Sequence, residues 1–278
     1  MENEIGKKEV SSEISKNKLI TNVRQATFNF IFSNPLYYIS LILILIIGAS
    51  LYLVGLLNSN SQLMVFSPIF LLIVPFLMYT ILSGKMRGYL MEQFAKSLGY
   101  TYSKDKDLSD SPGTLFSLGH DNTFTNIITG QDKDRPVKIF LYRYIVGYGK
   151  NSRTYYYTVF ENTFDGEMPH MLLHKSGFFG DSIDFSNSED IKLEGDFNKY
   201  FSFHVEKGFE MEAYQIFDPV FMAELIDTSK KMNFEFFKNK LYIYMPKYIN
   251  TRAELDSMFS LSNKLCSHLE PVINKMKL

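Results

Sequence analysis

The chain has 278 residues, 46% of them hydrophobic and 15% aromatic, a single cysteine, and a formal net charge of -1. One cysteine, Cys266, excludes a disulfide framework and points to a reducing compartment. From Lys85 onward 24 basic residues stand against 26 acidic ones, so the basic footprint of a nucleic-acid partner is absent.

Residues 1–35 read as a polar amino-terminal tail followed by an interfacial segment, with a helix expected near Ile20 to Phe32. From Gln25 to Gly84 there is no Asp, Glu, Lys, Arg or His. Residues 36–83 of that window hold two apolar runs, Leu36 to Leu57 and Leu63 to about Leu82, joined by the polar Asn58 to Gln62. At about 1.5 Å per residue each run covers the ~30 Å hydrocarbon core of a bilayer. A transmembrane helical hairpin is therefore expected, kinked at Pro68 and Pro75. A cleaved signal is the weaker reading, because the first run starts well inside the chain and a second follows at once. The uncharged turn puts both flanks on one side. Those flanks carry Lys16, Lys18 and Arg24 before the hairpin and Lys85 and Arg87 after it, which predicts amino and carboxyl termini in the cytoplasm and a plasma-membrane location. Tyr37, Tyr38 and Tyr79 fit an interfacial aromatic belt. The spans hold no ionisable residue, which argues against a transport pathway, although Gly48-Ala49-Ser50 would let helices of a homo-oligomer approach.

Residues 84–102 form a juxtamembrane segment, with Lys85 to Leu98 continuing the second span as a helix that ends near Gly99. Residues 103–278 make a cytoplasmic α+β domain. Ser103 to Gly113 reads as a polar loop whose Asp105, Asp107 and Asp110 lack the spacing of a calcium loop. Strands are expected over Thr123 to Thr129, Val137 to Tyr148 and Arg153 to Phe164, an antiparallel meander. The turn in GYGKNS lacks the first glycine and the hydroxyl residue of a phosphate loop, so it reads as a hairpin turn.

His170 and His174 in MPHMLLHK share the i, i+4 spacing of a helical metal pair. The alternation around them indicates a strand instead. A zinc ion would need a further ligand from Glu189, Asp190, Glu194 or His204, and no cofactor is expected. In Asp190 to Val205, Phe197 and Phe201 read as a core face and Asp196 as a bond acceptor at a turn. Glu194, Asp196 and Asn198 are the candidate binding residues. Helices are expected over Glu210 to Phe217 and Pro219 to Ser229, and a closing hairpin over Asn233 to Phe237 and Lys240 to Met245 across Asn239. The final helix, Thr251 to about Lys275, carries a stripe through Leu255, Met258, Ser262, Leu265, Leu269, Val272 and Met276 that is expected to cover a sheet; a self-associating coiled coil is the alternative, weakened by Ser262 and Pro271.

In order, LYRYIVGYGKNSRTYYYTVF, MPHMLLHK, DIKLEGDFNKYFSFHV, PVFMAELI and NKLYIYMP resemble a family of uncharacterised bacterial membrane proteins with a two-span amino-terminal hairpin and a carboxy-terminal domain of unknown function. The resemblance spans roughly residues 85–275. It implies a bacterial membrane protein and one shared domain, and it imports no activity.

The fold expected is α+β: a transmembrane hairpin, then an antiparallel sheet with covering helices. No nucleophile, base and oxyanion set converges in the sequence, so the leading function is a membrane-anchored cytoplasmic interaction or scaffold protein that contacts the bilayer and a protein partner. One alternative is a membrane-bound hydrolase or metalloenzyme using His170 and His174 with Glu194 or Asp196. Another is a lipid-sensing module ringed by Lys85, Arg87 and Lys96. Cys266 reads as an inert structural thiol.

Overall fold

The structure, a computed structural model, describes residues 19–105, 111–175, 187–193, 195–229 and 232–276. The first eighteen residues, the loop aspartates Asp107 and Asp110 and the candidate Glu194 lie outside the described residues. The chain divides into two compact units, the first built from residues up to Gln93 with Asn250–Ala253, the second from Phe94–Ile249 with the segment from Glu254 onward.

In the first unit α1 (Val23–Ser33), α2 (Pro35–Leu57) and α3 (Ser61–Leu98) follow one another closely. Each start has a local cause. The Asn22 side chain accepts from the Gln25 amide to begin α1, and Asn34 accepts from Leu36 with Pro35 in the first turn of α2. Asn60 accepts from the amides of Gln62 and Leu63 to begin α3, so the connection is tighter than Asn58 to Gln62 suggested. Both α2 and α3 are long and apolar enough to cross a membrane. Gly48 and Gly55 are close-approach points between them: a Cβ at Gly48 would lie 2.3 Å from Leu71 Cδ2 and would force that side chain to move. Gly48 is thus used within the hairpin. α3 contains both Pro68 and Pro75 and runs unbroken to Leu98, so the second apolar run and the helix expected to follow it are one element. It stops at Gly99, whose φ of 71° a glycine adopts readily. The returning residue Asn250 accepts from Arg87 Nε and Nη2 (3.1 and 2.8 Å), and its carbonyl accepts from the Val23 amide at 2.8 Å.

The second unit is an antiparallel sheet of β1 (Thr101–Asp105), β2 (His120–Asp132), β3 (Arg135–Val146), β4 (Arg153–His174), β5 (Ser188–Asp190), β6 (Ser202–Glu206) and β7 (Asn233–Met245), with α4 (Glu210–Ile216), α5 (Pro219–Ser229) and α6 (Arg252–Met276). Its order is β1-β2-β3-β4-β6-β5, and β7 pairs with β4. The α+β expectation holds. The polar loop expected from Ser103 starts instead as β1, which pairs with β2. The strands expected at Arg153 to Phe164 and Met168 to Lys175 are one strand of 22 residues.

The hairpin expected across Asn239 does not form. Both halves of β7 pair with β4, from Phe234 opposite Leu173 to Met245 opposite Thr158. The polar Lys238-Asn239-Lys240 therefore marks an irregularity rather than a reversal. Lys238 takes a positive φ of 54° where the register with β4 shifts at Met168.

The sheet has two unlike faces. On one, Leu173, Phe234, Phe236 and Leu241 meet Phe217 of the α4–α5 connection and Leu265 and Leu269 of α6. The stripe of α6 covers the sheet through Leu265 and Leu269, with Ile273 buried where Val272 was expected, and Asn162 Nδ2 donates to Ser262 Oγ at 2.9 Å. On the other, Tyr142, Tyr144, Tyr157, Tyr242 and Tyr244 gather with Phe140 and Leu172 under the short 3-10 turn Thr114–Ser117, whose Leu115 and Phe116 complete that core. Burial pushes the Tyr142, Tyr157 and Tyr242 hydroxyls well above the usual tyrosine range.

Candidate functional site

The site begins at Glu235. Alternation along β7 turns Phe234 and Phe236 to the helices and leaves Glu235 on the tyrosine face, with no solvent exposure. A buried carboxylate needs donors, and four converge on it. The Thr114 amide donates to both oxygens at 2.8 and 3.0 Å, and the Thr114 hydroxyl donates to Oε1. His170 Nε2 lies 2.8 Å from Oε1, and the Tyr244 hydroxyl donates to Oε2 at 2.5 Å. Burial first, then the Glu235 charge and this hydrogen bond, drive the Tyr244 hydroxyl far above its ordinary value, so it remains a donor. The wall above is aromatic, with the Phe237 ring edge-on to His170 at 4.5 Å.

His170 and Thr114 face a cleft of about 980 Å³ whose rim includes Glu206, Phe209, Phe237 and Lys238. That volume lies at the upper end of the ligand-pocket range. The irregularities of β4 and β7 at Met168 and Lys238 form part of its lining. The chemistry of the floor is specific. In a hydroxyl–imidazole–carboxylate relay the carboxylate and the hydroxyl engage opposite ring nitrogens. Here Glu235 Oε1 and Thr114 Oγ1 both approach His170 Nε2, at 2.8 and 3.3 Å. The arrangement holds an imidazole in place and ties the Thr114 turn to the sheet. As placed, it does not line up a nucleophile with a base.

The residues singled out in the sequence scatter around this centre. His174 is on β4 as expected, but its ring stacks on His204 at 5.1 Å and its Nδ1 lies 3.0 Å from the Lys175 carbonyl, while His170 turns to Glu235. Burial lowers the His174 pKa from its ordinary value, although the Lys175 carbonyl opposes that shift. Asp190 sits opposite His204 in the β5–β6 register. Among the described residues no three His, Cys, Asp or Glu side chains are grouped to hold a metal ion.

Phe197 and Phe201 are both buried with rings 5.0 Å apart, the core face expected of them. Asp196 places its carboxylate 2.7 Å from Lys199 Nζ in an exposed pair, and its side chain makes no cap hydrogen bond. Asn198 clasps the backbone of Leu193, accepting from its amide at 3.1 Å and donating to its carbonyl. Cys266 is buried and its thiol is pushed up to about 12, mainly by burial, as befits a packing residue. The turn at Gly149–Asn151 is the hairpin turn read from GYGKNS, beside a stack of His120 on Tyr148 at 4.4 Å.

Glu235 itself was not singled out from the sequence. The available signal was a lone acid flanked by phenylalanines in NFEFF, within a strand of otherwise core-like residues.

No protein-family model matches the chain, and no curated protein matches it. Among solved structures the chain is similar to the crystal structure of the mycobacterial trehalose monomycolate transport factor A, TtfA, with a TM-score of 0.52 and 17% identity over 67% of this chain and 96% of that one. Likeness at this identity concerns the fold alone, and the α+β architecture described above is therefore one that a mycobacterial transport factor also uses.

Proposed function

We propose that the protein is a membrane-anchored accessory or scaffold protein. Its hairpin crosses the plasma membrane with both flanks in the cytoplasm, and its sheet domain docks a protein partner at that surface. The observation that carries this reading is α3, which runs without a break from a lipid-compatible apolar run into the residues that begin the sheet domain. A helix continuous through that point joins the apolar run to the start of the sheet domain with no intervening loop. The basic flanks at Arg24, Lys85 and Arg87 support the cytoplasmic side. The fold shared with a transport factor supports an accessory role beside membrane transport machinery. The floor of the cleft supports recognition rather than turnover, because its carboxylate and hydroxyl meet at one imidazole nitrogen.

The test is side-specific labelling in intact cells with a membrane-impermeant maleimide, in a Cys266→Ser background carrying Ser61→Cys or Ser188→Cys. Labelling at position 61 alone is the expected result, and labelling at position 188 alone overturns the topology. A photo-crosslinking residue at Phe209, on the rim of the cleft, then reports the partner in the same cells. Stoichiometric zinc in the purified protein that disappears on His170→Ala with His174→Ala would replace this reading with a metalloenzyme.

A further inference from the structure

The three helices of the first unit meet at one level. The Ile20 amide, just ahead of α1, donates to Gln93 Oε1 at 2.8 Å, and farther along the Phe28 ring lies 5.6 Å from Tyr79. Moving forward along α1 is therefore moving back along α3, toward its apolar run. The start of α2 joins them there. Ser40 Oγ lies 3.9 Å from Met78 Sδ, the Phe30 ring 5.1 Å from Tyr37 and the Phe32 ring 6.4 Å from Tyr38. Phe28, Phe30 and Phe32 of α1 thus pair with three tyrosines of the hairpin in one aromatic layer.

That layer stands one hydrocarbon core away from the connecting turn. At about 1.5 Å per residue, Tyr38 to Leu57 covers about 29 Å along α2, and Met78 back to Ser61 covers about 26 Å along α3. Both lengths suit a bilayer core of ~30 Å. Large apolar side chains stand exposed within those lengths, Leu43 and Leu53 on α2 and Leu72 and Phe76 on α3. Beyond the layer α3 changes character, with Leu82, Met86 and Leu90 buried and Lys85 exposed.

The outer face of α1 shows the same change. Val23, Thr27 and Ile31 are buried, and the adjacent stripe of Arg24, Phe28 and Phe32, each four residues apart, is exposed. Phe28 is 44% exposed and Phe32 59%. The two rings belong to the aromatic layer, and Arg24 lies one turn farther out, about 6 Å along the axis. An apolar ring with a cation one turn above it follows the order in which acyl chains give way to phosphates.

We infer that the Arg24, Phe28 and Phe32 stripe of α1 is a membrane-contact surface. Phe28 and Phe32 sit at the boundary between acyl chains and headgroups, and Arg24 reaches the lipid phosphates. Only the carboxy-terminal half of α1 lies at that level; its beginning, beside the outer part of α3, stands clear of the bilayer. Lipid is the occupant because the stripe continues, at the same level, the exposed apolar surfaces of α2 and α3. The inference rests on the reading of α2 and α3 as membrane spans and adds a third helix to the surface that meets lipid.

The chain has no tryptophan, so single tryptophans report depth in the full chain. Phe28→Trp and Phe32→Trp, both at exposed positions, are compared with Ile47→Trp in the middle of α2 and Thr21→Trp ahead of α1. Each is placed in nanodiscs of phosphatidylcholine and anionic phosphatidylglycerol brominated either near the headgroup or near the chain ends. Phe28→Trp and Phe32→Trp are expected to lose more emission to the shallow bromines, Ile47→Trp more to the deep ones, and Thr21→Trp to neither. Arg24→Glu added to the Phe28→Trp chain should reduce its shallow quenching. Emission from positions 28 and 32 that neither lipid quenches, while Ile47→Trp is quenched, overturns the contact of α1 and leaves the spans intact. Stronger quenching of these two by the deep bromines overturns the level assigned to them. Indifference to Arg24→Glu overturns the phosphate contact. An unquenched Ile47→Trp overturns instead the spanning hairpin on which the inference rests.

Discussion

Two buried carboxylates on neighbouring strands of one sheet are held in opposite ways. Glu235 on β7 is served on both oxygens by the amide and hydroxyl of Thr114, the imidazole of His170 on β4 and the hydroxyl of Tyr244 on β7 itself. Glu161 on β4 has a side chain 1% exposed and takes Lys138 at 3.1 Å and Lys240 at 2.5 Å on the same Oε1, while Oε2 has no hydrogen-bond partner among the described residues. The lysines come from the two strands that flank β4 and are 29% and 20% exposed. The first carboxylate organises tertiary structure, because removing it leaves several donors at once without their acceptor, the buried Tyr244 hydroxyl among them. The second is a cross-strand ion cluster whose lysines can turn toward water when the acid is lost.

The largest effect is expected for Glu235→Leu, a loss of about 3–5 kcal/mol in urea unfolding of the detergent-solubilised chain. The near-ultraviolet signal of its tyrosines can follow the transition, since the chain has no tryptophan. Tyr244→Phe removes one of the donors to that carboxylate and should cost about 1.5–3 kcal/mol in the same assay. Glu161→Leu alone should cost about 1–2 kcal/mol, and the triple variant with Lys138→Met and Lys240→Met should return to within about 1 kcal/mol of the parent. If Glu161→Leu proves as damaging as Glu235→Leu, the distinction between the two carboxylates is broken.

The smallest effect is a slope with pH at a third partly buried polar group, His174. Burial holds its pKa below the ordinary 6.5, so the unfolded chain binds this proton more readily than the folded one. Its contribution is present above about pH 6.5 and is lost as the pH falls toward the lowered folded value. The groups facing it are the His204 ring, the Lys175 carbonyl and the Asp190 carboxylate. Unfolding midpoints measured from pH 7.5 to 5 should fall less steeply in His174→Gln than in the parent, and an unchanged slope would assign the acid sensitivity elsewhere.

Much of the architecture was legible because its causes are local. The charge-free window from Gln25 to Gly84 specifies two long apolar helices whatever the rest of the chain does, and Asn34-Pro35 and Gly99 mark their limits by backbone preference. The stripe on α6 and the pair Phe197 and Phe201 followed from helical spacing. The errors came where local chemistry had two readings. Lys238-Asn239-Lys240 has the composition of a turn, yet continued pairing with β4 on both sides makes it an irregularity within one strand. Asp165-Gly166-Glu167 separated two runs in the sequence, and both belong to β4.

What the sequence by itself determined was the kind of element at most positions and the side of each that avoids water, since apolar period, caps and missing charge act between residues a few places apart. Only the tertiary structure decided which strands share β4 and where its register with β7 shifts. It alone assembled the donors of Glu235, because Thr114 is 121 residues away and His170 is 65. Hydrogen bonds over such separations leave no periodic trace in the chain; they form only after the apolar faces have packed and the buried carboxylate must find partners where water is excluded.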